Sequence, residues 1–454
     1  MPDTTTDDFT ETATPDVRVA RRGSLARILL NRPKAINALT TDMVNAVSAA
    51  LEQWRDDDSV TAITIEGAGE RGLCAGGDVR SVREAFVDGD GERAFEFFRD
   101  EYRMNALIAD YPKLIVSHQD GIVMGGGVGI SAFAGLRVAT ERTKVAMPET
   151  IIGFFPDVGA LYLLSRAPGG TGAYLALTGT TVGGADACYV GLSDVVIESD
   201  SWATVLERLA EGADADAAVA RLASFDAAGN APLGAQRAWI DEAFGSGEHL
   251  RAPSEVLETL RTSDVEAARE AADLLTQRSP LSVAATVEAM RRAAGMDSVH
   301  EVLAQDMVLA RGLIEHGDFV EGVRAQLVDK DRQPMWSQAS FDEISDAEFE
   351  ALLDQLHGKG KFVPPAVSAE PAQVPAEAVE PAAAAAGDDI SDDEFEALLD
   401  QLHGDGVPTS VVAPPVAEPA VPPPVAAAPA LAVTPVRAGA EADVIGDDEF
   451  EALL

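Results

Sequence analysis

The chain predicts an α/β domain built as a repeating strand–strand–helix spiral, followed by a largely helical region and an acidic Pro/Ala-rich tail without a core. Three observations predict it. Strand-like aliphatic runs recur at residues 25–31, 60–67 and 113–123, each rich in β-branched or aliphatic residues. Two glycine-rich turns, Leu73-Cys74-Ala75-Gly76-Gly77-Asp78 and Met124-Gly125-Gly126-Gly127-Val128-Gly129, each follow such a run and open a helix-like stretch. Beyond residue 341 the texture changes, and 14 of the chain's 25 prolines lie there.

The elements follow in order. Residues 1–16 are acidic and Thr-rich, and are expected to be disordered. Residues 17–340 have globular composition. The spacing predicts helices over 40–54, with Thr40 or Thr41 as N-cap, and over 94–109, where Phe97, Phe98, Met104, Leu107 and Ile108 recur at helical intervals. Helices are also expected over 126–135 and 158–166, and most of 200–340 reads as helix with few strand signals.

Charge is unevenly placed. Residues 341–454 hold 3 Lys+Arg against 24 Asp+Glu, a net of −21 within a chain of −42. That balance disfavours nucleic acid and anionic membranes as partners, because phosphate binding needs clustered Lys and Arg. The two cysteines, Cys74 and Cys188, form no disulfide framework. With no cationic leader and no apolar run of spanning length, the expected compartment is the cytoplasm.

The tail, residues 341–454, carries three near-copies of one peptide at 344–358, 390–404 and 445–454, separated by Pro-, Ala- and Val-rich linkers. Each has an acidic first turn, then Phe, Leu and Leu at helical spacing. Such a helix is too short to be stable alone. Three of them on tethers suit docking peptides that fold on the groove of an unknown protein partner and gain avidity. Packing back onto their own domain is the alternative.

Several segments carry a resemblance. They are Leu30-Asn31-Arg32-Pro33-Lys34-Ala35-Ile36-Asn37-Ala38-Leu39, Phe98-Arg99-Asp100-Glu101-Tyr102, the triple-glycine turn, and Met147-Pro148-Glu149-Thr150 through Phe155-Pro156-Asp157-Val158-Gly159. His316-Gly317-Asp318-Phe319-Val320-Glu321-Gly322-Val323-Arg324-Ala325 and Asp329-Lys330-Asp331 follow. In this order they resemble the crotonase (enoyl-CoA hydratase/isomerase) superfamily, and within it the 3-hydroxyisobutyryl-CoA hydrolase branch, over about residues 17–340.

The resemblance implies a crotonase-like ββα spiral acting on acyl-CoA. Gly77 and Gly126 would offer backbone N–H groups to the thioester oxygen. Glu149 would be the main catalytic carboxylate, either activating water or attacking the thioester. Asp157 would orient a 3-hydroxyl or assist proton transfer, and Glu101 would be a further acidic substrate-binding residue beside Gly126, Glu149 and Asp157. Hydratases of the superfamily place a second glutamate where this chain has Gly129, so hydration is disfavoured. An enoyl-CoA hydratase/isomerase, or a crotonase-like scaffold targeted by its tail, are the alternatives.

No metal or other cofactor is expected, CoA being part of the substrate. Crotonase relatives commonly assemble as trimers or hexamers, so a homo-oligomer is possible. Arg32 and Lys34 are candidates for the CoA phosphates, although surface solvation explains them as easily. Cys74 reads as small packing rather than a nucleophile, and His118 as a core or supporting residue.

If the repeats are docking peptides, replacing Phe349, Phe395 and Phe450 together by Ala abolishes partner capture in pull-downs from the intact protein. Unchanged capture by the triple variant contradicts docking.

Overall fold

Local hydrogen-bonding demands, rather than composition, place the first elements. Thr40 accepts from the Met43 N–H and caps helix α1, Thr41–Arg55, which buries Met43, Val44, Val47, Leu51 and Trp54 on one face. Asp78 caps α2, Val79–Val87, and Asp90 caps α3, Gly91–Ala109. The computed structural model describes residues 9–223 and 227–344. Residues 1–8 lie outside them, as do the tail beyond 344 and all but the first residue of its repeats. Residues 9–16, expected to be disordered, are instead ordered by pairing: Thr10–Glu11 lies antiparallel to Arg18 and Val19.

The strands are β1 (Thr10–Glu11), β2 (Val17–Arg22), β3 (Leu25–Leu30), β4 (Ala62–Gly67), β5 (Gly72–Cys74), β6 (Leu114–Gln119), β7 (Ile122–Met124), β8 (Leu136–Thr140), β9 (Lys144–Ala146), β10 (Val182–Gly183) and β11 (Val195–Ile197). They form one sheet of order β1-β2-β3-β4-β6-β8-β11 and a second of order β10-β9-β7-β5. Successive pairs β4/β5, β6/β7 and β8/β9 each put one strand in either sheet, with α2 and α3 after the first pair. From β3 onward the larger sheet is parallel, with Leu25 opposite Ala62 and Ala62 opposite Leu114. This is the strand–strand–helix spiral expected from the sequence. β4 is buried throughout except at its last residue, as a covered parallel strand should be.

Two further expectations need correction. The run 113–123 is not one strand: it breaks at Asp120–Gly121, where Gly121 adopts φ 61°, and the chain passes from β6 to β7 in the other sheet. A side chain at Gly121 would collide with the Arg71 carbonyl, so the break requires glycine. The helix expected over 126–135 is a single turn, Gly126–Gly129, here α4. Its continuation is halted where the Ser131 hydroxyl donates to the Gly127 carbonyl and accepts from Gln119. Beyond Ile197 the described residues contain helices and no strand.

The helical region closes on the spiral. Helix Val299–His316 packs along α3, and the His300 imidazole bonds Asp110 at its end over 2.9 Å. Phe341 and Ile344 pack against the main core where the described chain ends.

Asn37 anchors the strand ends behind the glycine turns. It is fully buried at φ 56°, and its amide donates to the carbonyls of Ala68, Gly72 and Leu73, each at 3.1 Å. Asn37→Ala leaves those acceptors unsatisfied and removes a residue tolerant of the left-handed region. The expected cost is roughly 2–3 kcal/mol in denaturant unfolding. A loss below about 0.5 kcal/mol would contradict this anchoring role.

Candidate active site

Both glycine turns free a backbone donor for the same reason: the neighbouring groups bond elsewhere. After β5, Leu39 donates to the Gly76 carbonyl and accepts from the Asp78 N–H, each at 2.8 Å. Gly76 lies at φ 116°, and among the described residues nothing accepts the Gly77 N–H. After β7, Gly125 at φ 51° turns the chain into α4, whose first N–H, on Gly126, also lacks an acceptor. The turns abut. A Cβ built on Gly126 would stand 3.2 Å from the Gly77 nitrogen. Two unpaired donors therefore sit side by side beneath one cavity.

Three carboxylates surround them. Glu149 opens a short 3-10 turn, Glu149–Ile152, after β9, and its Oε1 would lie 2.8 Å from a Cβ at Gly125. Glu101, on the buried face of α3, has its Oε1 where a Gly126 side chain would collide. Asp157 follows Phe155-Pro156 and accepts from the Tyr102 phenol at 2.7 Å. Exposures of 2% for Glu101, 6% for Glu149 and 5% for Asp157 put all three below the surface. The helical run around Glu101 would have suited an ordinary exposed residue; the structure buries it.

The electrostatics are one-sided. Among the described residues no Lys or Arg forms an ion pair with these acids. Burial raises Asp157 to about 7, while the Tyr102 bond pulls the other way. Burial, then the Asp157 charge, holds Glu101 and Glu149 well above the usual carboxylate range. Glu101 Oε1 and Glu149 Oε2 have no hydrogen-bond partner. A buried acceptor without a donor is rare except where a ligand supplies one.

The cavity holds about 520 Å³. Phe97, Phe98, Ile152 and Phe154 wall it, with Phe154 stacked on Phe98 at 5.2 Å. Arg32, Arg80, Lys330 and Arg332 also line it. Arg32 does reach the cavity, held by Asp78 at 3.0 Å, whereas Lys34 is not among the lining residues. Lys330 belongs to one of the segments that carry the resemblance, but nothing local in the sequence places it or Arg332 at the cavity. Tyr102 adjoins Glu101 in the sequence, but nothing local assigns its phenol to Asp157.

The other candidates separate cleanly. Burial pushes the Cys74 thiol up to about 12, as suits packing rather than nucleophilic attack. His118 stacks on Trp202 with ring centroids 4.0 Å apart, in keeping with a core role. At Gly129 a Cβ would lie 2.7 Å from Val158 Cβ and 2.9 Å from Asn105 Nδ2. No carboxylate side chain fits there. Among the described residues no group of His, Cys, Asp and Glu is placed to hold a metal ion.

A ββα spiral with two adjacent unpaired glycine donors beside buried acids can receive the carbonyl oxygen of an acyl group. The chain belongs to the enoyl-CoA hydratase/isomerase family, whose model matches residues 25–353. It is 35% identical over 351 residues to the mitochondrial 3-hydroxyisobutyryl-CoA hydrolase of Rattus norvegicus, covering 76% of this chain and 90% of that protein. The Danio rerio protein of the same name is 37% identical over 349 residues, covering 75% and 90%. Among solved structures, a carnitinyl-CoA dehydratase from Mycobacterium thermoresistibile matches at 44% identity and TM-score 0.70, covering 75% of this chain and 96% of that one. An enoyl-CoA hydratase from Rhodobacter sphaeroides 2.4.1 matches at 35% and 0.69, covering 76% and 98%.

The buried Asp157 has a stability consequence. Its folded value lies above the ordinary 3.8, so the folded state binds the extra proton. That contribution is complete below about 4 and is lost as pH rises toward 7. Asp157→Asn is therefore expected to be more stable than wild type, by a margin growing roughly 1 kcal/mol per pH unit up to about 7 and level above it. Urea unfolding at pH 5 and pH 8 checks this; a margin that does not grow contradicts the assignment.

Proposed function

We propose that this protein hydrolyses the thioester of 3-hydroxyisobutyryl-CoA, giving 3-hydroxyisobutyrate and CoA, a step of valine breakdown. The observation that carries the reading is the pair of unpaired N–H groups of Gly77 and Gly126 facing Glu149. In the reaction those donors bind the carbonyl oxygen as it becomes an oxyanion, each contributing roughly 3 kcal/mol. Glu149 either takes a proton from the attacking water or attacks the carbonyl to form a mixed anhydride that water then opens. Both routes break the C–S bond and release CoA as the thiol. Asp157, with Tyr102 behind it, receives the substrate's 3-hydroxyl, and Glu101 closes the far side of the acyl pocket. CoA enters as substrate, and no other cofactor is proposed.

The names of the relatives support hydrolysis, while the solved neighbours are named as a dehydratase and a hydratase. The site favours the hydrolase. The second acid–base glutamate that hydratases of the family place at the position of Gly129 has no room here, because Val158 and Asn105 occupy that space. The scaffold alternative is disfavoured because the donors and carboxylates are all retained.

The cytoplasm is the proposed compartment, supported by two free cysteines; the curated relatives bear a mitochondrial name. Among the described residues no helix is long and apolar enough to cross a membrane. The tail is proposed as a separate docking module, outside the described residues, and homo-oligomerisation as the working state.

Glu149→Ala is expected to lower free-thiol release from 3-hydroxyisobutyryl-CoA by roughly 10²–10⁴-fold, with the fold unchanged by circular dichroism. Release within a few-fold of wild type would remove Glu149 from the chemistry.

A further inference from the structure

A fourth buried carboxylate stands behind the site. Asp306, on the helix Val299–His316, is fully buried, and its Oδ2 accepts the Gly159 N–H at 2.8 Å. Its Oδ1 has no partner. A fold needing only packing here would be served more cheaply by an apolar residue, because a half-satisfied buried acid is costly.

The bond Asp306 does make falls on a strained corner. Val158, one residue after Asp157, adopts φ 51°, a region that β-branched residues avoid, and Gly159 follows at φ 75°. The corner is anchored in front by the Tyr102–Asp157 bond and behind by Asp306. Its Val158 side chain is also the one that excludes any residue but glycine at 129. The helix carrying Asp306 packs along α3, which carries Glu101 and Tyr102. Clamp and site thus share one rigid support.

We propose that Asp306 is the positioning residue for Asp157. By accepting the Gly159 N–H it holds Val158 in the left-handed region, and so keeps the Asp157 carboxylate against the Tyr102 phenol. This rests on the reading of Asp157 as a substrate-facing group. The titratable groups around Asp157 are Glu101 and Tyr102 from α3, Glu149 from its turn and Asp306 from the helix behind.

The two ways Asp306 could matter give opposite signs. Loss of the clamp lets Asp157 leave Tyr102, whose bond favours the ionised form, so the Asp157 midpoint rises. Loss of a mere neighbouring negative charge would lower it. Asp306→Asn keeps an oxygen acceptor for Gly159, and Asp306→Leu removes it while keeping the branched shape. Asp306→Ala serves where Leu does not fold.

The test is a carbon-13 NMR titration of the protein carrying aspartate labelled at the carboxyl carbon, with Asp157→Asn assigning the Asp157 signal. It reads Asp157 without turnover, so failure of wild type to release thiol would sink the hydrolase reading and leave this result separate. Burial, then the Asp157 charge, holds the Asp306 carboxyl well above the usual range, so it stays neutral as Asp157 titrates and the Asn variant is expected to keep the wild-type midpoint. The Leu or Ala variant is expected to raise it by about one unit, with a roughly tenfold lower kcat for thiol release. A midpoint unchanged or lowered in the Leu or Ala variant, or moved as far by Asn as by Leu, overturns the proposal.

Discussion

The structure depends on keeping two backbone N–H groups unpaired inside a protein. A backbone donor without a protein acceptor is costly where water is scarce, and here two lie side by side at the cavity, on half-buried Gly77 and buried Gly126. Leu39 takes up the groups on either side of Gly77, and Gly125 at φ 51° turns the chain so that Gly126 opens a helix. Both turns are held by strands of the smaller sheet, whose parallel β5–β7 pairing fixes their spacing. The donors are thereby oriented before any substrate arrives, which is the condition for stabilising charge that appears only in the transition state.

The carboxylates complete the constraint. Glu101, Glu149 and Asp157 are buried together without an ion pair to a cation, so not all three can be charged at neutral pH. An acid of raised affinity for its proton beside one that must act as base or nucleophile is how a single pocket can both give and take protons near neutrality. The fold sustains this destabilising cluster with a large apolar core around it, including Phe98, Phe154 and Phe319.

Much of the site was legible because its parts are local. A glycine turn after an aliphatic run, and a carboxylate after Met147-Pro148, are short-range patterns. So were α1 and α3, which the structure places within a few residues of the expected bounds. The rest was not legible, for reasons that are long-range. Residues 113–123 form one aliphatic run, yet the chain changes sheets inside it at Gly121, because register with β4 and β5 decides the break. Glu101 lies on a helical face buried against the two glycine turns, and its own segment does not reveal that packing. Lys330 and Arg332 line the cavity from a segment that carries the resemblance but whose local sequence does not place it there. Gly129 could be read as a missing group; that Val158 and Asn105 fill its space could not.

The central claim is that this arrangement cleaves a thioester and does not hydrate a double bond. The most direct measurement is parallel assay of the purified full-length chain for thiol release from 3-hydroxyisobutyryl-CoA and for hydration of crotonyl-CoA. Thiol release with negligible hydration is the predicted result. Hydration without thiol release would contradict it, and would mean that the occupied space at Gly129 does not decide the chemistry.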